Sequence, residues 1–297
     1  MKKDKFKIGL DGLKLCFKDR QENKLFNRIA LNDDIVWWGE EGSDDFYTFR
    51  LTDECDDNKQ IVRIIIPDGD QAQTLGTMTI HKMKDKGKYN GFIFIEIENK
   101  ALYTDLLHSL GYVLGCFDLQ FNNVTSIVPC LTGTRNYIYK VQKMRRDLTH
   151  DMIYNGDKIV SPDATIKDWF IGRGCSRKRE FKIPTLYFGQ AKATGLKVRM
   201  YDKSRELKER SIDKKDYLNT WLGFKYDKLF RVEVEISNIS MRELCELLGE
   251  YDSEYMHDDR ILSQIFDEKF LFLLLHTALH KVVYWKNKEK TVDLLDL

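Results

Sequence analysis

A tyrosine stands among cations in the stretch LKVRMYDKSREL, residues 196 to 207. Side chains alternate between the two faces of a strand, so Lys197, Arg199, Tyr201 and Lys203 would share one face. A tyrosine hydroxyl is a weak nucleophile at its usual pKa of about 10, and neighbouring cations would help it to ionise. With Arg199 and Lys203 neutralising phosphate oxygens, the pattern indicates phosphodiester cleavage by a tyrosine nucleophile. An ordinary strand tyrosine is the alternative, because the chain has fourteen tyrosines.

Carboxylate and amide side chains alternate with apolar ones in three other segments that we expect to be strands. The polar residues that share a face are Asp118, Gln120 and Asn122 in residues 117–122, Arg231, Glu233 and Glu235 in residues 230–236, and Glu96 and Glu98 in residues 92–99. Asp and Glu are poor strand formers, and carboxylates on one face repel each other unless a cation lies among them. Solvated faces of antiparallel strands are the alternative.

Hard oxygen ligands of this kind suit Mg²⁺ or Mn²⁺ better than zinc. We therefore predict that a divalent ion is bound by Asp118, Gln120, Glu233 and Glu235, within reach of Tyr201. Such an ion would polarise a phosphate and stabilise the leaving 3′ oxygen.

Positive charge is concentrated in residues 173–215, where fourteen Lys and Arg stand against five Asp and Glu, although the whole chain carries only +1. A local excess of this kind is typical of a surface that binds a phosphate backbone. Tyr187 and Phe188 in this segment offer rings on which bases stack. A solvated run of charges is the alternative. The residues predicted to contact DNA are Arg173, Arg177, Lys178, Arg179, Lys182, Lys192, Lys197 and Arg231.

The composition is that of an ordinary folded protein of 297 residues, 42% of them hydrophobic and 12% aromatic, which is enough for a packed core. The six cysteines are scattered without a CxxC pair, and no signal peptide is recognisable, so we expect a cytoplasmic protein with free thiols. The longest apolar run, residues 270–285, is too short to span a bilayer. We expect a buried helix there and no membrane partner.

Period-two patterns dominate the first two-thirds of the chain and helical patterns the last sixty residues. Strands are predicted at residues 6–18, 46–52, 60–67, 77–83, 91–99, 117–122, 183–190, 196–203 and 229–237, and helices at 101–115 and from about 258 to 288. Ser240 and Glu243 predict a capping box at the start of another helix. We predict an α+β fold with a mostly antiparallel β-sheet body over residues 1–238 and a helical C-terminal region over residues 239–297.

Two stretches carry a family resemblance. TLYFGQAKATGLKVRMYDKSRE (residues 185–206) followed by LFRVEVEIS resembles the replication initiation factor family of rolling-circle plasmids, the Rep_trans type, which is related to relaxases of some integrative conjugative elements. The residues that match the family pattern are Thr185, Leu186, Tyr187, Gly189, Arg199, Tyr201, Asp202, Lys203, Glu206, Arg231 and Glu233, with Asp118 and Asp11 matching upstream strands. Asn122 departs from the pattern, because the family has a second aspartate there.

The resemblance implies a sheet body like that of Rep and relaxase nicking domains. The protein would nick one strand of a plasmid origin, single-stranded or extruded as a cruciform, through Tyr201. Arg199, Lys203 and Glu206 would assist, and Mg²⁺ or Mn²⁺ would be the cofactor. The products would be a 5′-phosphotyrosyl link and a free 3′ hydroxyl that primes synthesis. A homodimer and a host helicase are partners that the resemblance allows, and residues 239–297 would serve origin specificity or dimerisation.

Two other functions fit the same residues. The chain could use this chemistry as the relaxase of a conjugative or mobile element, or it could be a DNA-binding regulator without catalysis. Asn122 in place of the second aspartate keeps the regulator open as an alternative, because it removes a carboxylate from the metal side of the site.

Overall fold

The protein is described by a computed structural model. The structure describes residues 4–20, 23–30, 35–38, 47–52, 55–68, 71–83, 91–104, 110–111, 114, 119–146, 151–154, 157–159, 170–171, 185–189, 195–209, 212–248, 260–286, 288 and 290–296.

The chain forms two compact units. Unit 1 consists of Met1–Asp11, Ile127–Ser253 and Leu262–Leu297, and unit 2 consists of Gly12–Ser126 and Glu254–Ile261. The division therefore does not follow the predicted boundary after residue 238, which lies inside unit 1. Strands β1 (Phe6–Asp19) and β7 (Leu119–Gly133) each run from one unit into the other.

Unit 2 is built on antiparallel strands. They include the first part of β7, the second part of β1, β2 (Ile35–Trp38), β3 (Tyr47–Leu51), β4 (Lys59–Asp68), β5 (Gln71–His81) and β6 (Phe92–Ile97), hydrogen-bonded in the order β7-β1-β6-β5-β4-β3-β2. In β6 the alternation is regular, since Ile93, Ile95 and Ile97 are buried and the residues between them are not. Helices α1 (Lys24–Ala30) and α2 (Asn99–Leu102) add buried residues to this core.

Unit 1 contains the strands that carry the tyrosine. They are β10 (Phe170–Ile171), β11 (Thr185–Gly189), β12 (Leu196–Asp202) and β13 (Phe230–Ser237), in the order β10-β11-β12-β13, with β7 next to β13. The pairs from β10 to β13 are all antiparallel. A second sheet has the order β15-β14-β8-β9 and consists of β8 (Asp151–Tyr154), β9 (Asp157–Ile159), β14 (Val283–Lys286) and β15 (Thr291–Asp293). A mostly antiparallel α+β fold is confirmed.

Among the described residues of unit 1, the α-helices are α3 (Tyr137–Arg146), α4 (Lys203–Glu209), α5 (Lys215–Leu222), α6 (Asn238–Leu247) and α8 (Glu268–Val282). Helix α7 (Arg260–Gln264) spans the boundary between the two units. Helices α6 and α8 pack against β13, so they bury the apolar face of Val232, Val234 and Ile236.

Three details of the predicted helical region differ from expectation. The predicted helix at 258–288 is two helices, because Asp267 accepts a hydrogen bond from the Phe270 amide at 2.8 Å and caps a new helix there. The buried apolar run continues past α8 as strand β14. The capping box is also wrong, since α6 begins after Ser237 and Ser240 lies buried inside it.

Candidate active site

The charged face of β12 and β13 holds the residues singled out by the sequence. Their antiparallel register places Lys197 opposite Glu235, Arg199 opposite Glu233, and Tyr201 opposite Arg231. The other face is apolar and covered by α6 and α8, so polar side chains can only collect on this one. The register makes each pair a direct cross-strand neighbour, with opposite charges in two of the three.

Tyr201 is buried, with 6% of its surface exposed. Its hydroxyl donates a hydrogen bond to Oε2 of Glu233 at 3.1 Å and accepts one from Nζ of Lys203 at 3.4 Å. The guanidinium of Arg199 lies 5.0 Å from the centre of its ring. The hydroxyl is thus held between an acceptor that can take its proton and a cation.

The carboxylate of Glu233 contacts two side chains of β12, those of Arg199 and Tyr201. Oε1 pairs with the guanidinium of Arg199 while Oε2 faces Tyr201, so the carboxylate has a fixed orientation. Burial, together with the nearby carboxylate of Asp11, raises the pKa of Glu233 to about 7, against the lowering effect of Arg199. A carboxylate that changes its protonation state near neutral pH suits a general base.

Arg231 forms the inner edge of the cluster. Its side chain is completely buried; Nη1 pairs with Oδ1 of Asp11, and Nε donates to Oγ1 of Thr132 at 2.8 Å. Asp11 also lies 3.9 Å from Nη2 of Arg199. The predicted DNA contact of Arg231 is therefore wrong in this structure: a guanidinium without exposed surface cannot reach a phosphate, and it acts as an internal counter-ion.

Lys203 and Glu206 reach the site from α4, which starts where β12 ends. The side chain of Asp202 accepts a hydrogen bond from the backbone amide of Arg205 at 3.0 Å and caps the start of the helix. The helix start places Lys203 beside the tyrosine. Lys203 is buried and pairs with Glu206. Burial, with Arg231 nearby, lowers the pKa of Lys203. For Glu206 burial acts to raise the pKa, but Lys203 outweighs it and the pKa is lowered.

Helix α5 closes over part of this face. Gly9 of β1 faces Trp221, and a β-carbon at that position would lie 2.5 Å from Cζ2 of the indole, so only glycine allows the approach. Lys7 donates to the backbone oxygen of Trp221 at 2.7 Å and lies over its ring. The helix is therefore fastened to β1 next to Asp11.

This burial changes the electrostatics expected for the nucleophile. Burial raises the pKa of Tyr201 well above 10, and the carboxylates of Glu233 and Asp11 raise it further, outweighing Arg231. The expectation that cations would lower this pKa is wrong for the arrangement seen here. The tyrosine is protonated at neutral pH and would need a base to become a nucleophile.

The predicted metal ligands are distributed differently. Asp118 lies outside the described residues, and Gln120 lies on the exposed start of β7, in unit 2. Glu235 is half exposed and pairs with Lys197 at 3.4 Å. Both oxygens of Glu233 are occupied by Arg199 and Tyr201. Within the described segments no group of three or more His, Cys, Asp or Glu could hold a metal ion.

A divalent ion does not fit the cluster as it stands. Arg199, Arg231 and Lys203 already balance Asp11, Glu206 and Glu233, so an ion at Glu233 would have to displace a guanidinium. The Mg²⁺ or Mn²⁺ site remains a prediction.

Most predicted DNA contacts lie outside the described residues, namely Arg173, Arg177, Lys178, Arg179, Lys182 and Lys192. Lys197 is described; its side chain is 43% exposed and pairs with Glu235. The side chain of Arg199 is 41% exposed, which makes it the most accessible cation beside the tyrosine hydroxyl.

Sequence reasoning gave no role to two members of the cluster. Asp11 was matched only to a family strand, and Thr132 was not singled out. Asp11 is 220 positions from Arg231 along the chain, so no local spacing connects them. Its signal in the sequence was a carboxylate between Gly9 and Gly12, on the side of the strand opposite the apolar Ile8 and Leu10.

Neither a protein-family model nor a curated protein matches the sequence. Among solved structures, the chain is similar to the rolling circle replication initiator protein from Geobacillus stearothermophilus. The identity is 16%, the TM-score is 0.40, and the match covers 82% of this chain and 79% of that one. A likeness this distant establishes neither family nor function. The helices of the described segments all fall short of the length and apolar character that crossing a bilayer requires.

Proposed function

We propose that the protein is a tyrosine-dependent DNA nicking and joining enzyme that initiates rolling-circle replication at a plasmid origin. One observation carries the proposal: the hydroxyl of Tyr201 donates to a buried carboxylate, Glu233, which Arg199 holds in place. A nucleophile, a base within hydrogen-bond reach and a third group that orients the base are the parts that nucleophilic catalysis requires. The motif resemblance of residues 185–206 and 230–236 adds the substrate class.

In the proposed reaction the Oη of Tyr201 attacks the phosphorus of a phosphodiester. Its proton passes to Oε2 of Glu233, an O–P bond to tyrosine forms, and the bond from phosphorus to the 3′ oxygen breaks. The 3′ oxygen takes a proton from solvent and leaves as a hydroxyl. Rejoining is the reverse, with Glu233 returning the proton, so the protein can restore a continuous strand.

Cations of the cluster have separate tasks in this proposal. Lys203, 3.4 Å from the hydroxyl, stabilises the phenolate as it forms, because its charge lies next to the oxygen that loses the proton. Arg199 is accessible and contacts the phosphate oxygens from the solvent side. Arg231 keeps Asp11 paired, so that Asp11 does not repel the phosphate.

Dependence on Mg²⁺ or Mn²⁺ remains part of the proposal. An ion would stabilise the leaving 3′ oxygen, and its ligands would include residues beyond the described segments, such as Asp118.

Covalent capture tests the proposal without knowledge of the origin. A single-stranded DNA library with random sequence and a 3′ label is incubated with protein and Mn²⁺ or Mg²⁺, and the protein is then denatured. We expect label on the wild type and none on Tyr201→Phe, because the strand 3′ of the nick stays on tyrosine. Tyr226→Phe is the matched control, since it also loses a hydrogen-bonded hydroxyl, 2.6 Å from Asn219, but lies outside the cluster. Label persisting on Tyr201→Phe would show that Tyr201 is not the nucleophile and would point to Tyr187, Tyr137 or Tyr139.

A regulator without catalysis is the second candidate, and the deep burial of Tyr201 favours it. A tyrosine with 6% of its surface exposed and a raised pKa could belong to a structural network on the sheet. DNA binding without label on any tyrosine would support the regulator. A relaxase would give the same label as an initiator, and transfer of a plasmid between cells, measured with and without the gene, separates those two.

A further inference from the structure

The open face of the sheet in unit 2 combines aromatic rings with cations. The register of β1, β6, β5, β4 and β3 puts Lys14 and Lys18, Phe92 and Phe94, His81, Arg63 and Arg50 on the same face. The opposite face is the buried core of isoleucines and leucines. We call this open face the sheet platform.

The rings of the platform lie side by side. Phe92 and Phe94 have ring centres 6.3 Å apart, and His81 meets Phe94 edge-on at 5.8 Å. Both phenylalanines are half-buried and neither belongs to the core. Burial, together with Lys59, lowers the pKa of His81, so this ring is neutral at pH 7. Three rings, two of phenylalanine and one uncharged imidazole, are therefore neighbours across two strands.

Charge on the platform is mostly positive. Lys14 lies over the Phe94 ring and Lys18 over the Phe92 ring, at 5.8 and 5.3 Å. Among the described strand residues of this face, Glu96 is the one carboxylate, and it pairs with Lys14 at 3.6 Å. Lysines laid over phenylalanines are by themselves a common way to shield rings, so these contacts alone do not indicate a ligand.

Arg50 and Arg63 supply the observation that shielding does not explain. They stand directly opposite each other on β3 and β4, both exposed, and neither pairs with a carboxylate in the described part of the chain. Like charges at directly opposite positions destabilise a sheet. The arrangement becomes favourable when a polyanion lies across both guanidinium groups.

We infer that the sheet platform binds single-stranded nucleic acid, with bases stacked on Phe92, Phe94 and His81 and phosphates held by Arg50, Arg63 and the lysines. Stacking on an antiparallel sheet selects unpaired strands, because the faces of paired bases are hidden in a duplex. The inference does not rest on the proposed nicking chemistry, since it concerns other residues in the other unit.

Fluorescence anisotropy with labelled dT15 tests the platform. The full-length protein carries Tyr201→Phe in every sample, so cleavage cannot contribute, and the homopolymer offers no origin sequence. The double variant Phe92→Leu with Phe94→Leu keeps apolar cover on the sheet but removes both rings. We expect about a tenfold or greater loss of affinity. Phe92→Tyr with Phe94→Tyr keeps the rings and should stay within about twofold of the parent. Equal affinity of the leucine and tyrosine pairs would overturn the inference.

The arginine pair gives a second readout. Arg50→Gln with Arg63→Gln should weaken binding. It should also reduce the slope of log affinity against log salt concentration by about 1.4, because roughly 0.7 counterion is released per single-strand phosphate that is neutralised. Its thermal midpoint should not fall, because a repulsion is removed. Arg242→Gln with Lys281→Gln removes the same charge from α6 and α8 and should leave binding unchanged.

Other oligonucleotides define the ligand. A ring-dependent affinity for rU15 above that for dT15 would support the platform and make RNA its ligand, whereas a duplex bound as tightly as dT15 would contradict it. Failure of the platform would leave covalent capture by Tyr201 intact, so the two proposals fail separately.

Discussion

Replacing Glu233 by glutamine removes the proposed base while keeping the shape of the side chain. Glutamine can still accept the hydrogen bond from Tyr201, so the ring stays in place, but it cannot take a proton. Removal of a general base lowers rates by about 10²–10⁴, and we expect a loss of that size in the rate of covalent capture. In the wild type the rate should rise with pH as Glu233 loses its proton around pH 7 and then level off.

Stability measurements on the same variant separate catalysis from folding. Arg199 loses an ion pair, but its side chain is 41% exposed, so the loss is at most about 1 kcal/mol. The native state binds an extra proton at Glu233, since its pKa is raised from 4.5 to about 7. The wild type should therefore lose stability relative to Glu233→Gln as the pH rises from about 5 to 7, by up to about 1.4 kcal/mol per pH unit, and not above 7.

The assays for this prediction are single-turnover capture between pH 6 and 9 and urea unfolding between pH 5 and 8. A glutamine variant that nicks within threefold of the wild type would refute the role of Glu233 as base. A rate that falls in step with the folded fraction would equally refute it, because the loss would then come from unfolding.

Two further predictions concern the support of the cluster. Arg231→Met should cost about 3–5 kcal/mol in urea unfolding, because it removes a buried partner of Asp11; a loss below 1 kcal/mol would show that the pair is dispensable. Gly9→Ala should lower the free energy of unfolding by about 1–3 kcal/mol and shift tryptophan fluorescence, because the new methyl group meets Trp221. Gly111→Ala is the control: space is open around its β-carbon, so neither the free energy of unfolding nor the fluorescence should change.

Alternation of residue types was sufficient to predict the strands of the site. Residues 196–202 and 230–237 read with period two, and both are strands with the predicted apolar and charged faces. Whether Arg199 and Glu233 become neighbours when the two strands pair depends on the register of the pairing. That register is set by the whole sheet. The sequence could propose both residues but not their hydrogen bond.

Burial of the site could not be predicted from local pattern. Tyr201 is buried, and Asp11 and Glu233, two of the carboxylates that raise its pKa together with that burial, come from β1 and β13. Asp11 is 190 positions from Tyr201 along the chain, so the local pattern around Tyr201 could not show that burial and carboxylates would outweigh the cations. Likewise the alternation of its strand predicts that Arg231 is a surface cation, but its side chain is bound by Asp11 and Thr132 from other strands.

Mapping the covalent adduct by mass spectrometry tests the central claim most directly. Protein captured on the single-stranded library is treated with nuclease, which leaves a short 5′-phosphonucleotide, and is then digested with trypsin. Cleavage after Arg199 and Lys203 gives the peptide of residues 200–203, whose one tyrosine is Tyr201. We predict that this peptide gains the mass of the nucleotide and that Glu233→Gln lowers its yield. An adduct on the peptide containing Tyr187, or no adduct with either metal, would contradict the account.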